Sequence, residues 1–313
     1  MLDLVVMFSP ILIILISKTQ ILKRLHLDLD LIARILLALF LVSAVCAAIS
    51  YVLYGKGSGI LGFIGGYFMP LGFAFVVLQL YNTLKLSKVV IFIAITWTFG
   101  LVSEWLGASY GLVFGHYYYN IQTFYFGSVP LMTPFSWVII IYFSYGITNL
   151  LYSSLGDFRL GFKRYAVPMT LIAIPAILAS IDAIVATNLD LLLDPVSVAP
   201  GVAGWVWVDG GPFFGVPISN FIGWFLVTFL AMFIFRAYQN AGNPTTPTIP
   251  PADFRAPIMY FAYLLVQSGL AIGIGRSEFV LIGVGAMSPF LLLSLLCWIR
   301  KVTQADHAGG SGE

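Results

Sequence analysis

The sequence predicts an all-α integral membrane protein: a polytopic helix bundle of eight to nine spans, with the central helices arranged as two parallel pseudo-repeats. Composition is the first observation. Hydrophobic residues make up 60% of the 313 residues and charged residues only 9%, whereas soluble domains carry about 25% charged residues. The second is periodicity, since long unbroken apolar runs, rather than alternating apolar and polar positions, exclude an outer-membrane barrel. The third is a repeated spelling. Phe126-Gly127-Ser128-Val129-Pro130 leads into a hydrophobic stretch carrying Trp137, and Phe214-Gly215-Val216-Pro217 leads into one carrying Trp224, with the Trp seven residues after the Pro in both.

Apolar windows long enough to cross a bilayer fall at roughly 2–17, 31–54, 59–81, 89–107, 134–153, 165–187, 217–237, 256–274 and 279–299. The first is the shortest. Asp3 stands where a signal peptide would be basic, and Lys18 stands where it would be cleaved, so the start is not read as a leader. Residues 1–303 form one transmembrane domain, with the repeats at about 89–153 and 165–237, and residues 304–313 form a flexible Gly-rich tail. Thirteen of the fifteen Lys and Arg residues cluster on alternate connections, and only Lys56 and Arg276 fall on the others. The positive-inside rule makes the rich side cytoplasmic. The predicted location is therefore the plasma membrane, with a cytoplasmic C-terminus and the two basic-free loops, about 108–133 and 188–216, facing outward.

Glu104 shares a helical stripe with Gly100, Gly107 and Gly111. Small residues on a stripe let helices approach closely, so Glu104 should face the bundle. Asp182 is expected to occupy a matching place in the sixth span, above Pro168 and Pro175, which could kink that helix. An intramembrane carboxylate costs roughly 2.5–3.5 kcal/mol on insertion scales. Burial disfavours its charged form, and a neutral acid in an apolar pocket is a proton donor. Interhelical hydrogen bonding is the competing reading for both acids. Asp194, four residues after Asp190, and Asp209, before Gly210-Gly211-Pro212, flank the Trp205-Val206-Trp207 aromatics. A cap or a solvated loop would explain either one equally well.

His116 opens the run His116-Tyr117-Tyr118-Tyr119, which reads as an interfacial anchor or as an aromatic lip over an elongated apolar ligand. Asn220 lies four residues before Trp224 and at the level expected for Glu104 and Asp182, whereas Asn149 and Gln267 look like interhelical hydrogen-bond partners. Only three His, scattered at positions 26, 116 and 307, argue against zinc. Phosphate loops, dinucleotide loops and Asp-rich diphosphate motifs are missing, and a net charge of +2 disfavours nucleic acid. The expected ligand is uncharged and apolar, and no cofactor or metal is called for.

Glu104-Trp105-Leu106-Gly107, Gly111-x-x-Phe114-Gly115-x-Tyr117, Val129-Pro130 and Trp137 resemble the carotenoid-biosynthesis membrane family that contains the carotenoid 1,2-hydratases. So do Asp194-Pro195, Trp205-x-Trp207, Gly215-Val216-Pro217, Asn220-Phe221 and Gly223-Trp224, so that the resemblance covers roughly residues 95–240. It implies a CruF-type hydratase of γ-carotene-like or bisanhydrobacterioruberin-like substrates, which adds water to the terminal double bond of an acyclic carotenoid without a cofactor. Its partners would be the polyene, water and membrane lipid.

Such a reaction needs a neutral acid, a held water and a slot for a rigid polyene. The candidates are Glu104 or Asp182 as proton donor, Asp194 or Asp209 for the water, and Asn220 to orient it. His116, Tyr117, Trp137, Trp205, Trp207 and Trp224 would line the slot, with ring faces available to a developing cation. A lycopene-type cyclase would use the same acid chemistry, and an apolar-lipid transporter could use the acids as a proton relay.

Overall fold

A computed structural model describes residues 5–11, 28–154, 172–241 and 253–309. Beyond residues 5–11, nine helices follow in order among these: α1 (Leu29–Tyr54), α2 (Gly59–Gly65), α3 (Phe68–Thr83), α4 (Leu86–Tyr110), α5 (Thr133–Ser154), α6 (Ile174–Val198), α7 (Ile218–Asn240), α8 (Arg255–Gly273) and α9 (Glu278–Gly309). With α2 and α3 taken as one broken span, eight are long and apolar enough to cross a membrane. Only residues 5–11 of the first apolar window are described, and they are helical. Pro168, Lys18 and the Pro/Thr-rich stretch at 243–251 lie outside the described residues.

The helices are apolar on all sides, and their large exposed residues, such as Leu31, Ile35, Leu39 and Val42 along α1, face outward as lipid-contacting surface. The spans are held together mainly by packing of buried aromatic and aliphatic side chains. α6 and α7 form the longest paired contact, α8 lies along α1, and α5 runs through the middle against α3, α4, α6, α8 and α9. That central place explains why α5 is the most buried span.

Two polar clusters tie the helices together at the end away from the connecting loops between α4 and α5 and between α6 and α7. The Arg255 guanidinium donates to Gln79 Oε1 at 2.5 Å and to Asp30 Oδ1 at 2.7 Å, joining α8, α3 and α1. Arg236 on α7 donates to Asp182 on α6 through Nε at 2.6 Å and Nη2 at 2.8 Å, and to Asn149 Oδ1 on α5 at 3.0 Å.

The loops themselves fold as short strands. β1 (Tyr117–Tyr119) follows α4, β2 (Tyr125–Phe126) and β3 (Val129–Pro130) form a small hairpin, and β4 (Trp205–Trp207) follows α6. β1 and β4 pair antiparallel in the register Tyr117 with Trp207 and Tyr119 with Trp205. The two loops that share a spelling therefore meet directly.

One boundary departs from the sequence expectation. The sixth span was expected to end near residue 187, but α6 continues to Val198. Asp190 and Asp194 lower the local hydropathy, yet both carboxyls turn inward and are buried, so the helix runs through them. Asp182 consequently lies toward the far end of α6 rather than beside the loops. Pro175 sits in the first turn of α6, where a missing N–H costs nothing.

Candidate functional site

A cavity of about 280 Å³ opens beneath the β1–β4 ribbon, among the loop ends of α1 and α3 to α8. Two carboxyl clusters stand in its walls. On the α4 side, Glu104 is 7% exposed. Its Oε1 accepts from Trp137 Nε1 at 2.8 Å, and its Oε2 accepts from the Tyr119 hydroxyl at 2.6 Å and from the Tyr117 hydroxyl. The Gly stripe predicted to bring helices together makes room for these donors. A Cβ at Gly100 would lie 2.6 Å from the Trp137 ring, and one at Gly107 would lie 2.7 Å from the Tyr117 ring. Burial, followed by the neighbouring Glu104, holds both phenols protonated well above the ordinary tyrosine range, so they act as donors.

On the α6 side, Asp190 and Asp194 are one helical turn apart and almost completely buried. The Asn220 carboxamide on α7 bridges them, donating from Nδ2 to Asp190 Oδ2 at 2.7 Å and to Asp194 Oδ2. Trp205 Nε1 donates to Asp194 Oδ1 at 3.1 Å, and Asp190 Oδ1 has no protein partner. Two carboxyls this close in an apolar wall cannot both carry charge cheaply. The ribbon joins the two clusters, because Tyr119 on Glu104 and Trp205 on Asp194 are register partners whose rings meet edge to face at 6.0 Å.

Between the clusters lies an aromatic floor. Trp137 and Trp224 stack with centroids 4.2 Å apart and planes 30° apart. These are the two Trp residues that follow the repeated Val-Pro spelling. Trp207 Nε1 is tied to the Phe114 carbonyl at 3.0 Å, which leaves its ring packed on Tyr117. The remaining wall comes from α1, α3 and α8 and contributes Tyr51, Phe68, Met69, Tyr263, Val266 and Gln267.

Of the residues singled out in the sequence, Glu104, Asp194, Asn220, Tyr117, Trp137, Trp205, Trp207 and Trp224 converge on this cavity. Asp182 does not line it and is occupied by Arg236. His116 is exposed and packs beside Gly111 at the end of α4, and Asp209 is exposed in the loop after β4. Asn149 is an interhelical partner, as expected, through Arg236. Gln267 does not follow that expectation, since its Oε1 is buried without a partner. Asp190 and Tyr119 were not singled out for the site. Their signals were present as spacing: Asp190 and Asp194 at i,i+4 share a helix face, and Tyr117 and Tyr119 at i,i+2 share a strand face.

The family of carotenoid biosynthesis proteins matches residues 64–289, a stretch that holds every cavity residue except Tyr51. The chain belongs to the carotenoid biosynthesis protein family. No curated protein and no solved structure matches it. Within this carotenoid biosynthesis protein, the matched stretch runs from the end of α2 into α9 and so takes in both carboxyl clusters and both stacked indoles. An apolar, aromatic cavity with a few convergent polar groups suits a carotenoid end group. Chemically the arrangement offers an acid, hydrogen-bond donors and acceptors for a small polar molecule, and π faces. Among the described residues no group of three or more His, Cys, Asp or Glu could hold a metal ion.

Proposed function

We propose that this protein is a carotenoid 1,2-hydratase, adding water across the terminal C1=C2 double bond of an acyclic carotenoid. The observation that carries the reading is the pairing of two unlike carboxyl clusters across one aromatic cavity. Asp194, backed by Asp190, is the better acid, because two neighbouring carboxyls favour keeping a proton between them. Glu104 accepts from three fixed donors, which hold its carboxyl in one orientation in the opposite wall, placed to receive a proton.

In the reaction, Asp194 delivers its proton to C2 and the π electrons of C1=C2 form the new C–H bond, leaving a tertiary cation at C1. The Trp224 indole, backed on one side by Trp137, lines the cavity and would attract that cation through its ring face, worth about 2 kcal/mol when desolvated. Water adds to C1, and Glu104 takes the proton released from the oxygen. Return of that proton to Asp194 resets the site, and the net change is one water consumed. Asn220 holds the carboxyl pair in register and helps to orient the water.

A cyclase would begin with the same protonation, but the polyene itself would capture the cation. Hydration is favoured by the density of polar groups: a tyrosine pair, an amide and the Glu104 and Asp194 carboxyls line the cavity and give water several partners, where a cyclase would profit from excluding it. In the proposed setting the protein sits in the plasma membrane with the cavity toward the outer face, an orientation supported by the Lys/Arg asymmetry. Expression in a host that makes acyclic carotenoids tests the activity through pigment mass. Hydration predicts a gain of one water per modified end, whereas cyclisation leaves the mass unchanged.

A further inference from the structure

Gln267 is the one carboxamide of the cavity wall that the catalytic scheme leaves unused. It lies on α8 among Tyr51, Phe68, Met69, Tyr263 and Val266, in a wall otherwise made of apolar and aromatic surface. Its Oε1 is buried and has no hydrogen-bond partner. Native proteins seldom leave a buried amide oxygen unmatched, because it forfeits the hydrogen bonds that it makes in water. The other cavity amide, Asn220, has its Nδ2 engaged by Asp190 and Asp194. One turn earlier on α8, Tyr263 turns its hydroxyl to the Met69 sulfur at 3.2 Å rather than to Gln267.

Hydration creates a matching need. The attacking water has two O–H bonds; one proton leaves to a base, and the other stays as the O–H of the product alcohol. That second O–H requires an acceptor from the moment water is held until the alcohol departs. From the unmatched amide on an apolar wall we infer that Gln267 is a hydroxyl-recognition residue, accepting the retained O–H of the water and then of the tertiary alcohol that it becomes. It acts by positioning, and the inference rests on the hydratase reading. One consequence is that the cavity distinguishes a hydrated carotenoid end from a hydrocarbon end.

The test is binding of two matched probes to purified full-length protein in detergent, an acyclic carotene and its tertiary alcohol, read by quenching of the cavity tryptophans. Wild type should bind the alcohol more tightly. Gln267→Met, which keeps the length and removes the acceptor, should weaken the alcohol about tenfold while changing the carotene less than about twofold. Gln267→Leu should reproduce that loss, and Gln267→Glu, which retains an acceptor, should keep the alcohol preference. If both probes bind and the ratio is the same in wild type, Gln267→Met and Gln267→Leu, the inference is overturned while the carotenoid reading stands. If neither probe quenches wild type, the carotenoid reading fails and takes this inference with it.

Discussion

Glu104 and Asp194 differ in what surrounds them, and their proposed roles rest on that difference. Glu104 accepts from two phenols and an indole, whereas Asp194 shares the Asn220 amide with a second carboxyl. Asp194→Asn should therefore lower the hydration rate by about 10²–10⁴-fold, the usual range for losing a general acid, and should do so with little change in substrate binding. Glu104→Gln should cause a similar loss. Purified variants assayed for product against substrate quenching separate the two effects, and full retained turnover in either variant would remove that residue from the mechanism. Asp182 makes the opposite case. It is fully buried against Arg236 and away from the cavity. Breaking a buried ion pair costs about 3–5 kcal/mol, so Asp182→Asn should lower thermal stability in detergent while the folded fraction keeps its specific activity. A folded Asp182→Asn protein without activity would contradict this placement.

At the scale of elements, the Gly face of α4 and the β1–β4 ribbon bring the aromatic rings to the acids. Gly100→Ala would put a methyl group into the Trp137 ring. Overpacking of this kind costs about 1–3 kcal/mol, and here it should also pull the Trp137 indole off Glu104, lowering both melting temperature and turnover. Unchanged melting and turnover would show that the α4–α5 contact is looser than the structure indicates. The stripe that makes this contact was legible in the sequence because Gly100, Glu104 and Gly107 repeat at helical spacing. The end of α6 was not. Asp190 and Asp194 resemble loop residues to a hydropathy window, and only the partners that they meet on α7, Asn220 above all, show why they continue a helix. Ribbon pairing was equally hidden: Tyr117-x-Tyr119 and Trp205-x-Trp207 have strand spacing, but nothing local names the partner of so short a strand.

At the scale of the whole molecule, eight of the nine apolar windows read from the sequence fall on membrane-length helices among the described residues, because backbone groups in lipid must be satisfied within a helix or a closed barrel. The cavity did not follow, since α1, α3 and α8 supply one of its walls through residues such as Tyr51, Met69 and Gln267 that look like ordinary span residues in the sequence. The helices share one architectural logic: polar clasps at one end, Arg236 with Asp182 and Arg255 with Asp30, and the acid-lined cavity at the other. The most direct test of the central claim is turnover of an acyclic carotene by the purified protein in heavy-oxygen water, followed by mass analysis of the pigment. The account predicts a product heavier by one heavy-oxygen water per modified end, and no such product from Asp194→Asn. An isomeric product of unchanged mass, formed by an active protein, would contradict it.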